Sequence, residues 1–216
     1  MNAKRTASLL ILAAVLANVA FTALGSIFNY PDVLDEPAAQ VLAAFRDDQG
    51  AVSAWFSVLA LSAALLAPIA IGVGRLSPER AMRIAVPVGI AAAVVQVVGL
   101  LRWPLLVPGW AAADDVEAFT TANHVLGNLV GETFGYLLTA AWTGLVLVAL
   151  GAAFAGRLFV VLGGVAAVLI LSGVFSPLAL PVVDLANFVG YVLWSVWLLI
   201  FAAVLVRRGA RRPSRA

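Results

Sequence analysis

One carboxylic acid of this chain falls inside a stretch otherwise fit for hydrocarbon. Glu132 lies in Asn123-His124-Val-Leu-Gly127-Asn128-Leu-Val-Gly131-Glu132-Thr-Phe-Gly135-Tyr136, where His124, Asn128, Glu132 and Tyr136 recur at every fourth position. On an α-helix that spacing draws one polar stripe, with Gly127, Gly131 and Gly135 forming a small-residue ridge beside it. An ionisable group in such a place must be neutral, paired or wetted, and its default reading is functional.

Glu132 sits about 12 Å inward of His124 at 1.5 Å per residue. Its nearest candidate partner is Arg102, whose long side chain can reach inward or snorkel outward. Gln96 lies about 9 Å deeper than Arg102 on the same rise and shares the level of Glu132. Asn18, Asn187 and Tyr191 reach similar depth in two further apolar stretches. The ligand-binding candidates are therefore Glu132, Arg102, Gln96, Asn128, His124, Asn18 and Tyr191, with no residue assigned to catalysis or to a metal. Two readings stay open: a polar layer that binds something, or scattered interhelical hydrogen bonds worth about 0.6 kcal/mol each. Arg102 with Glu132 is likewise either a structural pair or a functional one. If the stretches holding them are antiparallel neighbours, Arg102, Gln96 and Glu132 are expected to meet.

Several chemistries are excluded outright. There is no cysteine, which removes disulfides, thiolate metal sites, iron–sulfur clusters and thiol nucleophiles. The single histidine, His124, argues against a haem held between two histidines; as a solvated or capping residue it needs no metal. Neither a His-Glu-x-x-His pair, a Gly-x-Ser-x-Gly elbow nor a phosphate-binding glycine loop occurs. No cofactor is expected.

The elements that would position these residues are transmembrane helices. Of 216 residues 63% are hydrophobic and 11% charged, with a mean hydropathy of +1.06, whereas soluble domains carry about 25% charged residues. Apolar segments at 8–28, 51–73, 83–103, 124–153, 157–176 and 185–206 each suffice to cross a bilayer, which takes about 20 residues. The expected fold is an all-α membrane bundle of six helices over 1–206, followed by a basic tail, 207–216. The first segment follows Lys4 and Arg5 and reads as a retained anchor, since it exceeds a signal peptide's apolar core of about 7–15 residues. Pro68 and Pro87 are expected to kink the second and third segments.

Charge orients the bundle. With the N-terminus inside, the inner segments hold Lys4, Arg5, Arg75, Arg80, Arg83, Arg157, Arg207, Arg208, Arg211, Arg212 and Arg215, which is 11 of 13 basic residues; positive loops stay cytoplasmic. The outer side receives Asp32, Asp35, Glu36, Asp47, Asp48, Asp114, Asp115, Glu117 and Asp184. The tail arginines suit anionic lipid head groups; nucleic acid is not an expected partner, because no aromatic or folded platform accompanies them. In the outer loops, 37–46 reads either as an acidic loop or as a short helix on the bilayer surface, with Pro37 at its first position and Ala38, Val41, Leu42 and Phe45 on one face. The segment 104–123, punctuated by Pro104 and Pro108, is expected to begin extended, with Trp103 and Trp110 at headgroup level.

The stretch Gln96-Val-Val-Gly-Leu-Leu-Arg102-Trp103-Pro104-Leu-Leu-Val-Pro108, followed by Gly131-Glu132-Thr-Phe-Gly135-Tyr136-Leu-Leu-Thr-Ala-Ala-Trp142-Thr, resembles a family of bacterial multi-pass membrane proteins, domain of unknown function 4386. The resemblance rests mainly on the third and fourth segments. It implies a bacterial inner-membrane location and no assigned activity. Convergent polar groups without a catalytic set favour a non-enzymatic protein that binds or passes a small ligand or a proton. The alternative is a membrane enzyme acting on a lipid or lipid-linked substrate at the periplasmic face, with Glu132 as acid or base and Arg102 holding an anionic head group.

Overall fold

A computed structural model describes residues 3–178 and 180–210 of the chain. Everything regular among them is helical: α1 (Ala3–Phe28), α2 (Ala38–Asp47), α3 (Gln49–Ala64), α4 (Leu66–Val73), α5 (Arg80–Leu105), α6 (Val107–Ala113), α7 (Val116–Ala122), a π-helix over Asn123–Phe134, α8 (Gly135–Ala155), α9 (Arg157–Ser172) and α10 (Pro181–Ala210). Six of the resulting rods are long and apolar enough to cross a membrane: Ala3–Phe28, Gln49–Leu76, Arg80–Ala113, Val116–Ala155, Arg157–Leu178 and Val182–Arg208. Hydrocarbon offers backbone groups no partner, so each span satisfies its own N–H and C=O groups internally. All six expected segments fall within these rods, and the protein is a multi-pass membrane protein.

Each span packs on the spans before and after it, and α1 packs on α10, which closes the bundle. Lys4, Arg5, Arg75, Arg80, Arg83, Arg157 and Arg208 belong to the turns and helix ends of one side, the basic end; the acidic end carries the long connections. Pro68 breaks the second span as anticipated: α3 stops at Ala64, the residue whose carbonyl the proline ring would strike. Pro87 lies inside an uninterrupted α5. Arg208 donates to the carbonyls of Ala153 and Phe154 and lies 4.4 Å over the Phe154 ring, so this arginine caps α8. Arg211, Arg212 and Arg215 lie outside the described residues.

Two apolar clusters are stacked along the bundle. The one nearer the basic end draws on all six spans, with Leu10, Ile69, Met82, Trp142, Phe159 and Trp197 among its fully buried members. The other lies under the acidic end and joins Leu24, Phe28, Leu42, Phe45, Phe56, Trp103 and Phe119. Trp103 is its centre, stacked on Phe56 at 4.7 Å and meeting Phe28 at 5.2 Å, Phe45 at 5.9 Å and Phe119 at 6.0 Å.

Two expectations for the acidic end are corrected, and of the two open readings of 37–46 the helix is borne out. Trp103 is 0% exposed and lies in the core, because α2 and α7 fold over it and supply rings that shield it from the headgroup region. The segment after Trp103 is helical, not extended: Pro104 stays within α5, and Pro108 occupies the opening of α6, where a missing N–H costs nothing. The 37–46 segment is a helix, with Pro37 just ahead of its first residue. Its face of Val41, Leu42 and Phe45 is buried on protein, so it roofs the bundle. An ion pair from Arg46 to Asp114, 2.9 Å, ties it to the turn after α6.

Candidate functional site

Between the two apolar clusters lies a polar layer. Gln96 Nε2 donates to Thr139 Oγ1 at 3.1 Å, Thr143 Oγ1 to the Thr139 carbonyl at 2.9 Å, and Trp194 Nε1 to Thr143 Oγ1 at 2.9 Å. Asn187 Nδ2 donates to the Ile170 carbonyl at 2.8 Å. The layer thus links α5, α8, α9 and α10. Gln96 and Thr143 also bond carbonyls one turn back in their own helices, at Ala92 and Thr139.

The wall facing the acidic end is the π-helix, whose i→i+5 bonding brings residues five apart, not four, onto one line. Thr133 Oγ1 donates to the Asn128 carbonyl, five residues back, at 2.9 Å. Exposure follows the same period. Asn123, Asn128 and Thr133 are half-buried, while His124, Leu129 and Phe134 are exposed. Of the expected stripe, His124 is exposed, while Asn128, Glu132 and Tyr136 are half-buried. Long π stretches are rare and cluster at functional sites.

Close contact between α5 and the π-helix holds this wall in place. A Cβ added at Gly99 would come within 2.6 Å of the Gly131 Cα and 2.9 Å of the Leu126 carbonyl oxygen. Gly127 leaves room for the Arg102 guanidinium, which would stand 2.7 Å from a Cβ there. The glycines at 127 and 131 are thus contact points for α5.

Arg102 is 5% exposed, and the hairpin of the third and fourth spans does bring its helix beside Glu132. The expected contact, however, is replaced. Arg102 donates to Asn123 Oδ1 at 2.8 Å and to the Gly99 carbonyl at 2.5 Å, its Nε stays unpartnered, and its charge lies 5.2 Å from the Trp103 ring centre. Gln96 is likewise taken by Thr139. Among the described residues the Glu132 carboxylate has no ion pair and no hydrogen bond, although Arg102 lies close enough to feel its charge. The π-helix places Asn123 over the guanidinium, and a neutral carbonyl acceptor there wins by geometry.

The chain has three tyrosines, and Tyr30, Tyr136 and Tyr191 all lie within electrostatic reach of Glu132. They come from the connection after α1, from α8 and from α10. All three, and Glu132 itself, are half-buried. Tyr136 and Tyr191 meet edge to face at 5.9 Å, and Phe21 bridges Tyr30 at 5.4 Å and Phe188 at 5.9 Å. Burial pushes the Tyr30 phenol up to about 12, with the Glu132 charge adding to the shift and Arg102 opposing it. Asp184, bonded by Ser176 Oγ at 2.7 Å, sits within electrostatic reach at the exposed rim.

The remaining candidates separate. Asn18 is exposed and donates to its own helix at Ala14, 2.7 Å; nothing joins it to the layer. His124 and Asn128, with Asn123 and Glu36, line a cavity of about 260 Å³ under the α2 roof. Tyr30, Asn123, Thr139 and Asp184 escaped the sequence reading; the one signal available was that so few tyrosines exist and each follows or lies within an apolar stretch. No group of three acidic or histidine side chains suited to a metal occurs among the described residues.

A closed ring of six spans long and apolar enough to cross a bilayer defines a multi-pass membrane protein. The chain belongs to the family of the domain of unknown function DUF4386, which matches residues 6–202. No curated protein and no solved structure matches it.

Proposed function

We propose that this is a non-enzymatic protein of the bacterial inner membrane, built as one six-helix unit over 1–206 with a basic tail that meets anionic lipid, and that its polar layer binds or passes a small ligand or a proton. The supporting observation is Glu132, a carboxylate inside a span with no partner in contact and a half-open surround. Such a group is expensive in a bilayer and is retained for use. The π-helix that carries it, and neighbours that are amides, threonines and phenols with no nucleophile paired to a base, favour binding over bond breaking.

The proposed orientation puts both termini in the cytoplasm and the acidic end outside, so the site faces outward. Reporter fusions that need a periplasmic location should be active after residues 40 and 112 and silent after 78, 156 and 212. The reverse pattern would turn the bundle over.

Lipid profiling of a deletion strain tests the function. Complementation by the wild type and by Glu132→Gln should leave the lipid composition unchanged. A specific lipid that accumulates on deletion and clears with the wild type alone would replace this reading with a membrane enzyme.

A further inference from the structure

We infer that the cavity under the α2 roof is a binding site for a primary ammonium group carried on a short aliphatic body. The site is separate from the polar layer and stands whether or not that layer binds anything. Its volume of about 260 Å³ falls just below the roughly 300–1,000 Å³ of sites for drug-sized ligands, so its ligand is small. Three oxygen acceptors line it. Glu36 is its one carboxylate, exposed, with no ion pair or hydrogen bond to the side chain among the described residues. Thr120 gives its hydroxyl proton to the Val116 carbonyl at 2.7 Å, which leaves the oxygen's lone pairs for the cavity. Asn123 and Asn128 both reach it, because the π winding sets residues five apart on one line. The Asn123 oxygen is held by Arg102 at 2.8 Å, so Asn128 is the amide that can accept. An ammonium group has three N–H donors and no acceptor, which is the complement of these three oxygens. Leu34, Val41 and Phe119 supply an apolar wall for a short alkyl chain.

Three competing ligands fit less well. A metal ion needs several ligands, and no group of three acidic or histidine side chains occurs among the described residues. A quaternary ammonium offers no N–H donor and calls for aromatic faces around it, whereas Phe119 is the one benzene ring on this lining. An anion would meet Glu36, and no lysine or arginine lines the cavity; Arg102, 5% exposed, stands behind Asn123. The approach also favours a cation. The acidic end carries nine carboxylates, and its one surface arginine, Arg46, is bound to Asp114. A field of that sign concentrates cations and repels anions.

The test uses the full chain in phosphatidylglycerol nanodiscs and phosphate buffer, so that the one small-molecule amine present is the one added. Isopentylammonium should raise the thermal midpoint saturably, as a ligand of the folded state does. Isopentanol, which lacks the charge, and tetramethylammonium, which lacks the N–H donors, should not. Glu36→Gln, at an exposed position that leaves the fold intact, should weaken the apparent affinity about threefold to fivefold, the scale of an ion pair open to water. Ala38→Leu fills the cavity from α2 and should abolish the shift. Asp47→Asn removes an exposed acid of the same end outside the cavity and should change nothing. Adding phosphatidylethanolamine to the discs separates the sources: a headgroup ammonium would already fill the site and suppress the isopentylammonium shift, and a soluble amine as the natural ligand would leave it. Shifts by isopentanol or tetramethylammonium equal to those by isopentylammonium overturn the proposal. Equal weakening by Asp47→Asn and Glu36→Gln would reduce it to the diffuse field of the acidic end, and full binding in a folded Ala38→Leu would remove the cavity from it. A response to isovalerate alone overturns it in favour of an anion, and no response to any probe overturns it outright. None of these outcomes bears on Glu132.

Discussion

Trp103→Ala is expected to cost about 3–5 kcal/mol of stability, the range for large aromatic truncations in packed interiors. The ring is 0% exposed and is wrapped by Phe28, Phe45, Phe56 and Phe119. In a bilayer the transfer of an apolar group from lipid to protein contributes little, so the loss falls on packing: the cavity left and the dispersion contacts forfeited. Those contacts also hold α2 over the bundle, since its Phe45 meets the indole at 5.9 Å. Equilibrium unfolding in detergent measures the cost. Limited proteolysis should then show faster cleavage near residues 37–48. Trp110→Ala, at a half-buried ring, serves as the control with a smaller loss. A Trp103→Ala loss under about 1 kcal/mol, typical of an exposed site, would mean the roof is not packed as described.

Gly99→Val should destabilise by about 3 kcal/mol and separate the π-helix from α5. Overpacking usually costs about 1–3 kcal/mol, and the upper end applies when the obstruction cannot rotate away. Here it cannot: the added carbon would strike the Gly131 Cα and the Leu126 carbonyl, both backbone. The wall would have to move as a unit, taking Asn123 off Arg102. Gly144→Ala is the matched control, because a Cβ there meets nothing within 4 Å; it should be neutral or slightly stabilising through helix propensity. Thermal midpoints of the two variants in one detergent decide the matter, and equal midpoints would show that α5 and the π-helix do not touch at Gly99.

The sequence by itself determined the spans, because hydrocarbon forces each crossing segment to satisfy its own backbone and to present about 20 apolar residues. It also marked Glu132 as the one carboxylic acid deep inside an apolar segment and Pro68 as a point of disturbance in the second span, since both follow from local chemistry. Other features were legible only in part. The face of Val41, Leu42 and Phe45 was visible as a helical period, but whether it met lipid or protein depended on Trp103, which lies far along the chain. The tertiary structure decided the rest. The π winding of Asn123–Phe134 has no compositional signature, and only the packing of the third and fourth spans brings Asn123 to Arg102. Phe21 meets Phe188 only when α1 closes on α10. That closure is a property of six packed surfaces at once, whereas a periodicity describes one helix at a time.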